Sequence, residues 1–197
     1  MKGEKRKRKP IYYFLMVTVG VFLSTMDSSM VNIALPYIMD DFSVTLYQIQ
    51  WIVLIYLLVI SITLLSWGKL SDIYSKGGVY LTGMGIFASG AMCCSLSPNL
   101  MVLVGSRLLQ GLGAAMMMAT GPAIIRLVSP EDQLGKWLGT LGIATSIGLM
   151  SGPLIGGLIL QTAGWRYIFF IYVPLCLLPL IFGWIYLAGT LPKTKKE

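Results

Sequence analysis

The sequence predicts an all-α membrane protein of six spanning helices with both ends on the cytoplasmic side. Three observations predict it. Hydrophobic residues fill 56% of the 197 positions and charged ones only 12%, whereas a soluble domain carries about 25% charged residues. A soluble core of this size cannot hide so much apolar surface. The apolar residues also fall into six runs, each near the roughly 20 residues a spanning helix needs. Finally, basic residues collect in alternate gaps between those runs.

The runs lie near residues 11–35, 46–67, 79–95, 100–125, 137–160 and 167–187. Polar, Gly or Pro residues mark the gaps: Asp40-Asp41, Lys69 to Gly78, Ser97-Pro98-Asn99, Arg126 to Lys136, and Gly164-Trp165-Arg166. Alternating sides along the chain, thirteen of the fifteen Lys and Arg residues fall with the N-terminal tail. Arg166 alone falls opposite, and Arg107 lies inside a run. Lys and Arg are retained on the cytoplasmic side. The chain therefore divides into a basic cytoplasmic tail over 1–10, a six-helix bundle over 11–187, and a second cytoplasmic tail over 188–197. A cleaved signal peptide also begins with basic residues before an apolar run, but this run is too long and no A-x-A-like site closes it. The tail suits retention and contact with anionic lipid.

Composition excludes several functions. The formal charge is +7, yet its basic residues sit in a tail and in short gaps, so a membrane surface is expected rather than nucleic acid. There is no His, and Cys93, Cys94 and Cys176 lie in apolar stretches without zinc or disulfide spacing. They read as packing residues; no metal or cofactor is expected. No nucleophile–base spacing and no Walker-type phosphate loop occurs, so neither an enzyme nor a nucleotide-driven pump is expected.

Ionisable groups inside spans are costly, and are functional candidates by default. Asp27 lies in the first run, about 24 Å from its start at 1.5 Å per residue. Arg107 lies in the fourth, about 10 Å from the opposite end. The two share a depth in the outer half, where they can face one aqueous cavity, paired directly or through water. Gln110, Gly111 and Ala114 follow Arg107 on one helical stripe, and Ser28 and Asn32 stand one turn apart beside Asp27. Snorkelling to the nearby headgroups is the alternative for either charge. In the fifth run Gly148, Gly152 and Gly156 recur every four residues, followed by Gly157, with Pro153 among them. That spacing predicts a bent helix pressed against a neighbour.

These residues resemble the N-terminal half of a major facilitator superfamily transporter, closest to its fourteen-span drug:proton antiporter branch. The segment 26–36, Met-Asp-Ser-Ser-Met-Val-Asn-Ile-Ala-Leu-Pro, is similar to that branch's L-D-x-T-x-x-N-x-A-L-P signature. Gly68 to Lys76 resembles the superfamily loop after the second span, and Arg107 to Ala115 the R-x-x-q-G-x-g-a-a pattern. Gly148 to Gly157 is similar to the antiporter signature g-x-x-x-G-P-x-x-G-G, and Trp165 to Pro174 to the opening of the sixth span. The five motifs occur in order across nearly the whole chain.

The resemblance implies a transmembrane transporter in the cell membrane, a proton-coupled multidrug efflux antiporter. Asp27, Asn32, Arg107 and Gln110 would serve proton coupling and substrate. Gly68, Asp72 and Lys76 would gate the cytoplasmic side, and the Gly/Pro run would be a flexible contact between halves. A carboxylate suits such work because its surroundings decide whether it holds a proton. Implied partners are protons, the bilayer and a small-molecule substrate, lipophilic cations among the candidates. The gate loop departs from the pattern at Ile73, Ser75 and Gly77. Such folds bind substrate between two six-helix halves, so activity is expected only with a second half, a separate chain or a second copy. A non-transporting membrane scaffold or regulator, or an inactive truncated product, is the alternative.

Overall fold

Helix ends in this chain are set by local chemistry rather than by loss of apolar character. A computed structural model describes residues 10–187; the tail assigned to 1–10, apart from Pro10, and the one assigned to 188–197 lie outside the described residues. Helix α1 spans Pro10–Phe42. The second span is α2 (Leu46–Ile49) and α3 (Trp51–Ile73), joined through Gln50, which keeps helical angles. Next come α4 (Lys76–Ser95) and α5 (Leu100–Val128). A 3₁₀ turn at Glu131–Gln133 leads into α6 (Leu134–Thr162). The last span is α7 (Arg166–Phe170) and α8 (Tyr172–Leu187), joined through helical Ile171. Among the described residues six helices are long and apolar enough to cross a membrane, as the sequence predicts, and all regular structure there is helical.

The first span differs from its sequence reading. It does not stop at Leu35 but runs on through Pro36, Asp40 and Asp41. Proline removes one donor and bends a helix, yet a membrane helix tolerates it. What ends α1 is Ser43, at φ 51°. Its amide donates to the Asp40 carbonyl (3.2 Å), and the Val44 amide donates to the Met39 carbonyl (3.1 Å), the pairing of a Schellman cap. Thirty-three helical residues make a rod about 50 Å long, longer than the roughly 30 Å hydrocarbon core, so Asp40 and Asp41 need not enter lipid. The following caps match their sequences. Thr45 and Gln48 form a capping box on α2, Ser75 caps α4 and Asn99 caps α5.

Glycines decide which helices touch. A Cβ on Gly83 would lie 2.6 Å from Met116 Cβ, and one on Gly90 2.6 Å from the Gln110 backbone nitrogen. Helices α4 and α5 therefore meet backbone to backbone, the close approach small residues permit. The fifth span packs on the first in the same way. A Cβ on Gly152 would lie 2.6 Å from Ser29 Cβ, and one on Gly156 2.8 Å from Ile33 Cδ1, while Gly148 abuts Thr25. Ser29 Oγ crosses this seam to donate to the Leu149 carbonyl (2.8 Å). Gly157 meets nothing within 4 Å and Pro153 is exposed; α6 is continuous through it. In contrast, α3 and α6 turn whole stripes outward: Leu54, Leu58, Ile62 and Leu65 on one, Ile143, Ile147, Met150 and Leu154 on the other.

Gly152→Leu forces side chain into the α1–α6 seam and is expected to cost about 1–3 kcal/mol, read as a lower thermal transition of the solubilised chain. Gly157→Ala, in open space, is expected to cost nothing measurable. Equal transitions for the two variants would contradict the packing described.

Candidate functional site

A charge inside a span needs polar partners, and α1, α3 and α5 supply them to one another. Asp27 on α1 accepts from Arg107 Nη1 through Oδ2 (2.7 Å) and from Gln110 Nε2 through Oδ1 (3.0 Å). Arg107 Nη1 also donates to Gln110 Oε1 (2.8 Å), and Arg107 Nε to the Ile52 carbonyl on α3 (3.4 Å). Cys94 Sγ on α4 donates to the same Gln110 oxygen (3.6 Å). The Tyr56 ring lies 4.1 Å from the Arg107 guanidinium carbon and the Phe169 ring 5.8 Å. Arg107 and Gln110 share a face because they are three residues apart on one helix. Asp27 is 0% and Arg107 1% exposed.

That burial sets the energetics. Withdrawing each ion from water costs several kcal/mol, offset only when the geometry is good and the remaining donors and acceptors are used. Here both carboxylate oxygens are used, the guanidinium makes three hydrogen bonds through Nε and Nη1, and two aromatic rings lie near the cation. The charges turn inward to each other rather than outward to the headgroups.

Sequence-predicted residues separate into those drawn together and those left apart. Asp27, Arg107 and Gln110 meet in one network. Asn32 does not join them: it is exposed, and its Nδ2 donates to the Ser28 carbonyl on its own helix (2.9 Å). Around the loop after the second span, Lys76 at the start of α4 pairs with Asp72 near the end of α3. Asp72 is exposed, and the space over Gly68 is open to 4 Å. The Gly148, Gly152 and Gly156 face lies against α1 within this bundle. Sequence reasoning missed Tyr56, Phe169, Cys94 and the Ile52 carbonyl. An aromatic residue or a free cysteine in an apolar run carries no mark of its neighbour, and a carbonyl carries none at all.

A second polar cluster holds the end away from the basic tail. Asp41 Oδ2 accepts from Trp165 Nε1 (3.1 Å) and Arg166 Nη1 (2.9 Å). Arg166 Nη2 donates to the Ser97 carbonyl (3.4 Å), and its guanidinium carbon lies 4.3 Å from the Trp165 ring centre. One cluster so ties the end of α1 to the α4–α5 and α6–α7 turns. The Asp41–Arg166 pair is about 44% exposed and alone contributes little.

A family model described as the Major Facilitator Superfamily matches residues 17–197. The chain belongs to the major facilitator superfamily, a family of membrane transporters. It is similar to the riboflavin transporter RibZ of Clostridioides difficile, 43% identical over 86% of this chain and 37% of RibZ. It also resembles the tetracenomycin C resistance and export protein of Streptomyces glaucescens, 36% identical over 91% of this chain and 34% of that protein. The multidrug resistance protein Stp of Mycobacterium tuberculosis is 34% identical over 85% of this chain and 32% of Stp. The chain spans about a third of the length of these relatives. A bacterial homologue of the human lysosomal transporter Spinster, solved inward-facing and unoccupied, shares the fold. Its TM-score is 0.80 at 18% identity, over 97% of this chain and 45% of that one. As a major facilitator bundle, the chain corresponds to the N-terminal half of the fold.

Arg107→Met strands Asp27 in a dry site and is expected to cost about 3–5 kcal/mol, read by thermal unfolding in detergent. Adding Asp27→Asn removes the stranded charge and is expected to restore most of that loss. Additive losses in the double variant would sink the ion-pair account.

Proposed function

We propose that this bundle works in a proton-coupled exporter of small organic molecules, of the fourteen-span drug:proton antiporter type, with Asp27 carrying the coupling proton. The observation that supports this most is a carboxylate wholly shielded from solvent and held by one guanidinium and one amide. Taking up a proton removes the charge that binds Arg107 Nη1. Arg107 then still has Gln110 Oε1, the Ile52 carbonyl and the Tyr56 ring. The cation is therefore not abandoned when its counter-charge disappears. The network has two workable arrangements, and proton occupancy biases how α1 sits against α3 and α5.

In this reading Asp27 does not touch substrate, since it has no exposed surface. Asn32, one helical turn beyond Ser28 and exposed, is the polar group of α1 that meets it, and a second bundle supplies the opposing wall. Gly68, Asp72 and Lys76 form the cytoplasmic gate, with both chain ends on that side of the cell membrane. Export is supported by the likeness to the tetracenomycin C export protein and to Stp; the riboflavin transporter is the relative of greater identity among those named. Riboflavin and a lipophilic cation are thus the two compounds to compare.

The test uses inverted membrane vesicles carrying the chain, alone and co-expressed with the remaining spans of a relative. Wild type is expected to accumulate one of the two compounds when an inward-acid pH gradient is imposed. Asp27→Asn, normalised to inserted protein, is expected to lose that accumulation by tenfold or more, and Asp27→Glu to retain it. Full gradient-driven accumulation by Asp27→Asn would refute the assignment.

A further inference from the structure

Asp27 has no exposed surface, so a proton that reaches it must be handed on by neighbouring side chains. Arg107 cannot do this, because a guanidinium does not deprotonate in a protein, and Gln110 carries an amide. The other titratable groups around the carboxylate are Cys94 on α4, Tyr172 and Cys176 on α8, and Tyr56 on α3. Helix α6 has no ionisable residue beyond Lys136 near its start, and α7 turns Phe169 toward the pair. Cys94 Sγ is bonded to Gln110, and Tyr172 Oη donates to Met30 Sδ (3.0 Å). Both residues, and Cys176, are sealed in the core.

Tyr56 differs. It is 2% exposed, and its hydroxyl has no hydrogen-bond partner among the described residues. A dry, unused hydroxyl costs about 1–3 kcal/mol, and such a group in a folded protein calls for a reason. The Tyr56 ring lies 4.1 Å from the Arg107 guanidinium carbon, which anchors the hydroxyl beside the ion pair. Asp27 and Ser28, consecutive on α1, act on that hydroxyl, the first through its charge and the second through its own hydroxyl. Ser28 is half-buried, and exposed Asn32, one turn on, donates to the Ser28 carbonyl. Exposure therefore rises in steps from Asp27 through Ser28 to the open face of α1.

We infer that the Tyr56 and Ser28 hydroxyls relay protons between the exposed face of α1 and Asp27. The relay presupposes the reading of Asp27 as the coupling carboxylate. A hydroxyl suits the task because it donates and accepts at one atom. A hydronium ion at Ser28 gives one proton to Ser28 Oγ and becomes water. The original Ser28 hydrogen passes to Tyr56 Oη, and the original Tyr56 hydrogen passes to a lone pair of Asp27. Each hydroxyl breaks one O–H bond, forms another and ends neutral, while the carboxylate gains the proton that the hydronium lost. In the present arrangement Tyr56 Oη bonds to neither neighbour. The relay is therefore open, and it closes by movement of the hydroxyl or through a bridging water. Tyr56 so governs how fast Asp27 exchanges its proton rather than how tightly Asp27 holds it.

Time-resolved infrared spectroscopy of the full chain in lipid vesicles reads this without transport. Protons are released by a flash from a photolabile precursor, and the carboxylic C=O band that Asp27→Asn lacks reports protonation of Asp27. Tyr56→Phe keeps the ring on Arg107 and removes the hydroxyl. It is expected to leave the midpoint pH of the band and the thermal transition unchanged while slowing the rise of the band at least tenfold. Ser28→Ala is expected to slow the rise as well. The double variant is expected to be no slower than Tyr56→Phe, because the two hydroxyls act in series. A purely structural Tyr56 would shift midpoint and stability instead of rate. A rise at the wild-type rate in Tyr56→Phe, or losses that multiply in the double variant, would overturn the relay and leave Asp27 as the proton carrier. A wild type without the Asp27 band at any pH would remove the coupling reading itself, and the relay with it.

Discussion

Two opposite charges shielded from both water and lipid impose the tightest requirement on this bundle. Neither Asp27 nor Arg107 can be placed unless α1, α3 and α5 come within hydrogen-bonding reach at one depth, and the glycines that permit it sit at the contact points. A Cβ on Gly111 would lie 3.1 Å from the Tyr56 carbonyl oxygen, so bareness at 111 lets α3 bring Ile52 and Tyr56 onto the guanidinium. Gly90 does the same for α4, whose backbone meets Gln110. Cys94, one turn on, thereby reaches the Gln110 carbonyl oxygen. In a bilayer there is no hydrophobic drive between helices. Backbone proximity and a satisfied polar network must supply the specificity that core burial supplies in water.

The two ends of the bundle are held differently. Away from the basic tail, Asp41, Trp165, Arg166 and the Ser97 carbonyl join three chain segments in one cluster. Around the α3–α4 turn, Lys76 at the start of α4 pairs with Asp72 near the end of α3, linking two helices that follow one another in the chain. With Asp72 exposed, such a pair contributes little on its own. The cross-segment cluster joins residues 69 to 125 positions apart in the chain, where the Lys76–Asp72 pair joins residues four apart.

The fold was largely legible because membrane helices announce themselves by length and composition. Boundaries were less so. Asp40 and Asp41 look like a loop, but the terminating residue is Ser43, whose left-handed conformation no composition reveals. At the site, Asp27, Arg107 and Gln110 could be named because ionisable groups and an amide are rare in lipid. Asn32 could be named for the same reason, yet its side chain satisfies itself on its own helix, since an asparagine one turn after a carbonyl has a local partner available. Tyr56 and Phe169 could not be named. Their part in the site is the face they turn to a cation, and facing is a property of helix rotation, which an almost uniformly apolar run leaves unmarked.

The depth of the pair within a single bundle bears on how it can act. A carboxylate lining an open cavity can exchange partners with a substrate directly. Asp27 has no surface to do so while its bonds to Arg107 and Gln110 stand, and any coupling it carries must pass through the helices that those bonds hold. That demands an element with two arrangements of similar free energy. Arg107 meets the condition because its surroundings mix one charged acceptor with several neutral ones: Gln110 Oε1, the Ile52 carbonyl and the aromatic faces of Tyr56 and Phe169. These neutral acceptors carry no charge that protonation of Asp27 would remove, so under the proposed coupling the arginine would keep protein partners in either state. If Asp27 took up a proton, the buried guanidinium would lose its counter-charge, a loss of about 3–5 kcal/mol in a dry site that these neutral acceptors would lower.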